Sequence, residues 1–365
     1  MSNILPLLDT LNIGEIKGFN NSTIKTDRGE FIDFFTDSGT TSFGYSMNFS
    51  EGAPLHFPEL INCNIRQAAA KAICDSCGLD YAYFCVSGTE SVEAMIKFAR
   101  RYWYEKGENR HKIYSHKGSF HGRTYGSMSL SFTKDYHREG FGPLVAGMEW
   151  FEDPADIDPN SAAVVVTPAF VYNDYRDFGR VWWEKLVDHC NRNGILLCLD
   201  EVQTYLRLGE IWGFQMYKDI IKPDMVAVAK GVAGGYPTGV TMVTKAIAQT
   251  IPKRSHFSTF GGNWRSCQGI LATLAIGESM LPIISDKGQY IMNSLGEMGL
   301  KGIKGKGLMM RFDYPKDTEK FAERCLKEGL LLGLYAPDSP VKLTPPLTVS
   351  RKEIYKALGV IKKCL

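Results

Sequence analysis

The sequence predicts an α/β protein with a large domain built on a mostly parallel sheet that is covered by helices. Short apolar and β-branched runs, such as 162–168 and 195–201, are typical of buried strands. Longer runs between them, such as 91–107 and 181–194, repeat apolar residues at helical spacing. Continuous apolar strands that alternate with helices indicate a parallel sheet with both faces covered.

The boundaries of the individual elements follow from local signals. We expect further strands of the sheet at 81–87, 111–118 and 224–231. The helix at 181–194 closes on Gly194, since glycine readily takes the left-handed conformation that ends many helices. Ser350 and Glu353 form a capping box, which predicts that the final helix begins there.

Both chain ends differ from this alternating pattern. Residues 23–34 predict a hairpin that turns at Asp27–Gly29, and we expect it to pack with the C-terminal region. The region after residue 270 mixes helices with short strands. We therefore predict a large domain over 46–269 and a smaller α+β domain assembled from 1–45 and 270–365.

Composition excludes several classes of function. The 365 residues carry 42 Lys and Arg against 40 Asp and Glu, a net charge of +2. Such a balance gives no field that attracts nucleic acid or an anionic membrane, so we expect neither as a partner. The N-terminus lacks the basic start and apolar stretch of a signal peptide. The expectation is a cytoplasmic protein.

The nine cysteines are scattered and often lie inside apolar runs. Cys74 and Cys77 form one CxxC pair, which supplies only two of the four ligands of a usual zinc site. We therefore expect reduced, buried thiols and no metal site.

Polar residues that follow the predicted strands are the candidates for chemistry, because ligands of open α/β sheets bind beyond the carboxyl ends of the strands. The first candidate is a turn between a strand and a helix, formed by Ser87, Gly88, Thr89 and Glu90. A helix N-terminus with free N–H groups suits a phosphate, although a Ser/Thr turn alone is equally compatible with a simple helix cap.

The second and third candidates are Asp200 and Lys230. A carboxylate that ends a buried strand needs a partner, which could be a cationic ring nitrogen, a metal ion or backbone donors. A desolvated lysine forms Schiff bases, whereas an ordinary lysine at a strand end is a surface residue. A phosphate cup, an acid and an imine-forming amine together are the parts that hold pyridoxal 5′-phosphate.

Several linked motifs carry a family resemblance from about residue 30 to the C-terminus. They are VSGTESVEAMIKFAR (86–100), SFHGRTYGSMSLS (119–131), LDEVQT (199–204), KPDMVAVAKGVAGGYPTG (222–239), FSTFGGNWRSC (257–267), KGKGLM (304–309) and KLTPPLTVS (342–350). In these motifs and their order the chain resembles the class III aminotransferases, which are pyridoxal-phosphate enzymes of fold type I. The resemblance implies that fold and that cofactor.

The resemblance also implies a role for each matching residue around the cofactor ring. Lys230 forms the Schiff base and moves the proton, and Asp200 pairs with the pyridine nitrogen. Val202 packs on one face of the ring and Phe120 on the other, and Gln203 reaches the phenolic oxygen.

The remaining matches concern the phosphate and the surrounding turn. By resemblance, the phosphate is cradled by Ser87, Gly88 and Thr89. Thr259 completes this cup from the neighbouring subunit, which implies a homodimer with shared active sites. His121 and the two residues after it are expected to shape the turn rather than to do chemistry.

Two departures from the family pattern concern the substrate. Residues 167–174 stand where the family has E-P-x-Q-G-E-G-G, so both glutamates are absent, and Lys342 stands where the family has a carboxylate-binding arginine. Lysine keeps the charge but not the two-pronged geometry. Either Lys342 still holds a carboxylate, or the usual half-reaction with glutamate is weakened. Arg311 is a possible replacement cation, although we favour a simple pair with Asp313 on an exposed strand.

The function implied is transfer of an amino group between an amine or amino acid and a carbonyl compound. The same apparatus could instead end in racemisation or epimerisation, decarboxylation, or elimination and replacement, in a biosynthetic enzyme. A binding or regulatory protein that retains the fold is a third possibility, against which the intact Lys230 and Asp200 argue.

Overall fold

The structure is a computed structural model, and it describes residues 13–45, 63–170, 175–333 and 339–365. The chain divides into two compact units. Unit 1 comprises Met1–Met47 with Asp286–Leu365, and unit 2 comprises Asn48–Ser285. The division falls at 285/286, whereas the sequence predicts 269/270, and both positions lie inside one continuous helix, Trp264–Glu297.

The strands and helices have the following bounds. In chain order the strands are β1 Ile16–Asn20, β2 Thr23–Thr26, β3 Gly29–Asp33, β4 Tyr81–Cys85, β5 Ile113–His116, β6 Met148–Phe151, β7 Ala163–Val166, β8 Ala169–Phe170, β9 Arg176–Asp177, β10 Leu196–Asp200, β11 Met225–Val228, β12 Gly239–Val243, β13 Lys301–Lys306, β14 Met309–Asp313, β15 Leu330–Leu331 and β16 Val341–Leu343. The α-helices are α1 Thr36–Gly39, α2 Asn64–Cys77, α3 Gly88–Glu105, α4 Tyr125–Ser129, α5 Arg180–Asn193, α6 Lys245–Ala248, α7 Trp264–Glu297, α8 Thr318–Lys327 and α9 Arg351–Cys364.

Unit 2 is built on a seven-stranded sheet in the order β4-β12-β11-β10-β7-β5-β6. The pairs β11–β10, β10–β7, β7–β5 and β5–β6 are parallel, and β12 is antiparallel to both of its neighbours. The prediction of an α/β fold with a mostly parallel sheet is confirmed. The sequence pattern did not predict two strands of this sheet, β6 and the antiparallel β12.

Helix α3 shows why the apolar periodicity of this region forms a packed helix. Its residues Val92, Met95, Ile96 and Ala99 are buried, and they face one core with strand residues of the sheet. The helix packs against β10, β11 and β12. Burial of a continuous apolar stripe of this kind stabilises the helix more than the intrinsic preferences of its residues do.

Unit 1 contains two small sheets, with strand orders β1-β2-β3-β15 and β13-β14-β16. The predicted hairpin is β2 and β3, and β3 pairs in parallel with β15, so that Ile32 lies opposite Leu330. The hairpin therefore packs with the C-terminal region, as the sequence predicts. The capping box is also confirmed: the Ser350 side chain accepts from the Glu353 N–H, and the Glu353 carboxylate accepts from the Ser350 N–H.

Helix α7 is unusually long and apolar for this chain. Within the described residues it is the one helix that could cross a membrane by length and composition, and 33% of its most apolar window is buried. Ile276 and Ile283 are among its exposed residues. A core helix passes the same test of length and composition, so this observation is weak support for a membrane span.

Candidate active site

The carboxyl ends of β4, β10 and β11 lie at the same edge of the seven-stranded sheet. β10 and β11 are parallel, and β4 runs in the same direction because β12 is antiparallel to both β11 and β4. These strands end at Cys85, Asp200 and Val228. Ser87, Asp200 and Lys230 are therefore presented from one edge, which is where ligands of such sheets bind.

The turn after β4 carries the residues that are predicted to form the phosphate cup. Ser87 caps α3, its side chain accepts from the Glu90 N–H, and its hydroxyl donates to the Glu90 carboxylate at 2.8 Å. A Cβ on Gly88 would lie 2.9 Å from Cγ1 of Val202 and 3.3 Å from Cβ of Ala229. Only glycine fits this close approach, so the helix N-terminus lies directly against the residues that precede Lys230 and follow Asp200.

The side-chain hydroxyl of Thr89 makes its hydrogen bonds within the protein. Its Oγ1 accepts from the N–H groups of Arg123 and Thr124, and it lies 2.7 Å from the Thr124 hydroxyl and 2.6 Å from that of Ser127. The side chain is thus committed to the loop after Phe120. Thr89 would therefore contact a phosphate through its backbone N–H. This N–H is one of those at the start of the helix that have no partner within the helix.

Asp200 is the buried carboxylate of the site, with 3% of its surface exposed. Its Oδ1 accepts from the Val202 N–H at 3.0 Å, and its Oδ2 accepts from Nδ1 of His121 at 2.8 Å. The imidazole is itself buried, and the backbone N–H of His121 donates to the Ser131 hydroxyl. Two donors thus hold the carboxylate in a fixed orientation, as a buried anion requires.

His121 is the residue whose role sequence reasoning missed. It was expected to shape the turn, whereas the structure places its ring against Asp200, 79 positions along the chain. A signal was available, because a carboxylate that ends a buried strand must find donors. The spacing of the motifs does not show which donor it finds, since the contact depends on the packing of two loops at the sheet edge.

Lys230 begins a 3₁₀ turn, Lys230–Ala233, directly beyond β11. Its φ is +49°, in the left-handed region that a residue with a side chain rarely adopts. Helix α7 supports the turn: the Thr273 hydroxyl donates to the Val232 carbonyl, and a Cβ on Gly269 would lie 2.4 Å from a carbonyl oxygen of the turn. Backbone in this region persists only where its surroundings determine it, and such positions cluster at active sites.

Glu201 fixes the turn that carries Val202 and Gln203. Its carboxylate accepts from the Thr204 hydroxyl and from the N–H groups of Gly213 and Phe214, both at 2.9 Å. Burial raises the pKa of Glu201 to about 7, against the opposing effect of these hydrogen bonds. Val202 and Gln203, which the resemblance assigns to the cofactor ring, therefore lie on a backbone segment that the hydrogen bonds of Glu201 hold in place.

Phe120 is held by an aromatic and a cationic neighbour. The ring of His137 meets it edge-on at 5.3 Å between centroids, and the Arg123 guanidinium lies 5.5 Å from its centroid. His137 Nδ1 lies 2.7 Å from the Thr133 hydroxyl. Burial, followed by the charges of Arg123 and Lys134, lowers the pKa of His137 to about 4, so the ring is neutral at physiological pH.

Two of the predicted site residues lie on other elements of the chain. Thr259 lies in an exposed turn of unit 2, next to Phe260, which is 59% exposed. Lys342 belongs to β16 of unit 1. Of the segment that replaces the family's glutamate motif, residues 171–174 lie outside the described residues.

Arg311 differs in part from expectation. Its Nη1 pairs with Asp313 at 2.8 Å, which confirms the predicted ion pair. The expectation of an exposed strand was wrong, because only 8% of Arg311 is exposed. The sequence suggested exposure because charged residues are rarely buried unless they have partners.

The clustered residues fit pyridoxal 5′-phosphate. A helix N-terminus at Gly88 suits the phosphate, the oriented Asp200 carboxylate suits a protonated ring nitrogen, and Lys230 provides an amine for the aldehyde. Val202 lies between the cup and Asp200, where it can cover a ring face. This donor set matches the cofactor's three anchoring points.

Comparison with known proteins agrees with this chemistry. The general sequence pattern of the family described as aminotransferase class-III matches residues 53–365. The acetylornithine aminotransferase of Aquifex aeolicus (strain VF5) is 32% identical over 351 residues, which cover 92% of this chain and 92% of that protein.

Solved structures show the same fold. The ornithine aminotransferase of Toxoplasma gondii ME49 matches with a TM-score of 0.88 and 21% identity, over 99% of this chain and 92% of that chain. An amine transaminase from an uncultivated Pseudomonas species, solved in its PLP-bound form, matches with a TM-score of 0.87 and 21% identity, over 100% and 98% of the two chains.

Replacement of His121 tests the role of its contact with Asp200. In His121→Leu the buried carboxylate loses a charge-assisted hydrogen bond, so we expect kcat/KM to fall about 10- to 100-fold and the cofactor to dissociate more readily. In His121→Asn an amide N–H replaces Nδ1–H, and most of the activity should return. Steady-state kinetics and cofactor absorbance after dialysis measure both effects. Wild-type kinetics and cofactor retention in His121→Leu would contradict the role.

Proposed function

The chain belongs to the class III aminotransferases, and from this premise we propose that it transfers an amino group between a carboxylate-bearing amino acid or related amine and a carbonyl compound, as a homodimer. The observation that carries the proposal is the placement of Lys230 and Asp200 beyond the ends of two paired parallel strands. The curated relatives that support an amino-acid donor are acetylornithine aminotransferases.

Pyridoxal 5′-phosphate supplies an aldehyde that captures the donor's amine and a ring that accepts the electrons of the bond broken beside it. Lys230 would hold the cofactor through Nζ until substrate arrives. The same Nζ would then take the proton from the substrate carbon and return it on the cofactor side. The fixed backbone of the 3₁₀ turn keeps this amine at one edge of the sheet throughout.

Asp200 would keep a proton on the ring nitrogen, because a nearby carboxylate favours the charged form of a base. His121 and the Val202 N–H hold that carboxylate in place. Both carboxylate oxygens accept hydrogen bonds from donors that are fixed in place. The carboxylate therefore does not need to reorient during turnover, which is the advantage of a preorganised site.

A second copy of the chain would complete the phosphate cup with Thr259. The turn that carries Thr259 also exposes Phe257 and Phe260, at 63% and 59%. Helix α7 adds exposed Ile276 and Ile283 on the same unit. Aromatic side chains are enriched at protein–protein interfaces, so the exposed Phe257 and Phe260 support the proposed homodimer.

We also propose that the enzyme works in the cytoplasm. The nine cysteines are free thiols, and eight of them are buried. Burial raises the pKa of several of these thiols to about 12, among them Cys74, Cys77 and Cys85, so they are protonated at neutral pH. Reduced thiols are typical of proteins of the cytosol.

A single-turnover experiment tests transamination directly. Holoenzyme mixed with an amino-acid donor in the absence of an acceptor should release a single equivalent of the matching oxo product per subunit. Lys230→Ala should release none, because no amine remains to move the proton, whereas Lys222→Ala, at an exposed lysine of the same motif, should behave as wild type. Release of carbon dioxide, or of the donor's enantiomer, in place of the oxo product would contradict the proposal.

Hybrid dimers test the shared site. Lys230→Ala and Thr259→Asp should each be inactive as homodimers, the second because its charge repels the phosphate. Random mixing of the two subunits should restore about a quarter of wild-type activity, since half of the dimers are hybrids and each holds one intact site. If hybrids form, as native mass spectrometry can show, but activity does not return, then Thr259 does not serve the neighbouring subunit.

A further inference from the structure

Helix α3 carries an acidic residue, Glu93, one turn beyond the predicted phosphate cup, and its carboxylate forms hydrogen bonds within unit 2. Glu93 Oε1 accepts from the backbone N–H of Ser127 at 3.0 Å and from the Thr124 hydroxyl. Thr124 directly precedes helix α4, and its own side chain does not cap that helix. Glu93 therefore provides, from α3, the acceptor that a free N–H group at the start of α4 requires.

The start of α4 contacts α3 at two successive turns of that helix. At the first turn, Thr89 Oγ1 lies 2.7 Å from the Thr124 hydroxyl and 2.6 Å from the Ser127 hydroxyl. Glu93 stands four residues further along, and positions four apart lie on the same face of a helix. One element, α3, therefore holds the start of α4 and also begins with the residues of the predicted phosphate cup.

A continuous chain of hydrogen bonds joins Glu93 to Asp200. The Ser127 carbonyl accepts from the Ser131 hydroxyl at 2.9 Å, and the Ser131 oxygen accepts from the backbone N–H of His121 at 2.8 Å. Nδ1 of His121 then donates to Asp200 Oδ2. The three intermediate residues are at most 3% exposed, so water does not compete for their hydrogen bonds. The position of Ser127 therefore determines where His121 can lie.

We propose that Glu93 is a positioning residue for the cofactor: by holding the start of α4 it sets, through Ser127 and Ser131, the ring of His121 against Asp200. This inference rests on the proposed function, because Asp200 acts there on the cofactor's ring nitrogen. Glu93 acts through the loop and is not itself a catalytic group. The helix whose N-terminus would hold the phosphate then also orients the partner of the ring nitrogen, so one element aligns both ends of the cofactor.

Replacement of Glu93 by leucine tests the proposal through cofactor binding as well as through turnover. In Glu93→Leu the Ser127 N–H loses its acceptor, so we expect the Kd of the apoenzyme for pyridoxal 5′-phosphate to rise about 10- to 100-fold. We expect kcat to fall by a similar factor with little change in KM, because small displacements of positioned groups are costly to catalysis. Absorbance titration gives the Kd, and visible circular dichroism reports the orientation of the bound ring.

Three further variants separate this role from a general effect on the helix. Glu93→Gln keeps an oxygen that can accept both hydrogen bonds, so it should keep most of the wild-type affinity. In Gly126→Ala the added Cβ would lie 2.2 Å from Glu93 Oε2 and displace the carboxylate without removing it, so losses like those of Glu93→Leu are expected. Glu105→Leu makes the same substitution at the exposed far end of α3 and should behave as wild type.

A double-mutant cycle tests whether Glu93 acts through His121. In the background of His121→Leu the chain of hydrogen bonds to Asp200 is already broken. Glu93→Leu should therefore raise the cofactor Kd much less in that background than in the wild-type protein, since residues of one network are not additive. If the two effects on the Kd simply multiply, then Glu93 does not act through His121 and the proposal is wrong.

The single variants give two more results that would overturn the proposal. One is a wild-type Kd and circular dichroism spectrum in Glu93→Leu. The other is an equal loss of thermal stability in apoenzyme and holoenzyme with the Kd unchanged, since Glu93 would then only support the fold. If Glu93→Leu does not fold, Gly126→Ala decides by the same criteria. If the Kd depends on Glu93 as expected but the wild-type enzyme transaminates no donor, the positioning role stands and the proposed function fails.

Discussion

The structure of unit 2 depends on one constraint, which is the presence of a carboxylate at the buried end of the central strand β10. Asp200 is 3% exposed, and a buried anion without donors costs several kcal/mol, on the order of the whole stability of a domain. The loop that carries His121 and the turn that carries Val202 are both shaped to supply those donors. The close approach at Gly88 then brings the helix N-terminus against the same turn, so the cup and the acid are positioned together.

Much of this could be predicted from the sequence, because the parts concerned have local causes. Apolar runs gave the positions of β7, β10 and β11, and the capping box gave the start of α9. The turn residues Asp27–Gly29 predicted the hairpin of β2 and β3. The strand ends that carry Ser87, Asp200 and Lys230 followed from the rule for open α/β sheets, and the family motifs gave each residue a role.

The remaining features depend on contacts between distant parts of the chain. The bond from His121 to Asp200 joins residues from two different motifs, and no local pattern encodes it. The alignment of Arg311 with Lys304 and Lys342 likewise follows only from the register of β13, β14 and β16. The division between the two units falls inside α7, at 285/286 rather than at the predicted 269/270, and helix periodicity does not show where one unit ends and the next begins.

The most direct measurement of the central claim is the protonation state of the cofactor ring beside Asp200. Holoenzyme reconstituted with ¹⁵N-labelled pyridoxal 5′-phosphate reports that state through the chemical shift of the ring nitrogen. We predict a protonated nitrogen at neutral pH in the wild-type protein and an unprotonated one in Asp200→Asn, because the negative charge that stabilises the proton is removed. An unprotonated nitrogen in the wild-type protein, or the same shift in both proteins, would contradict the account.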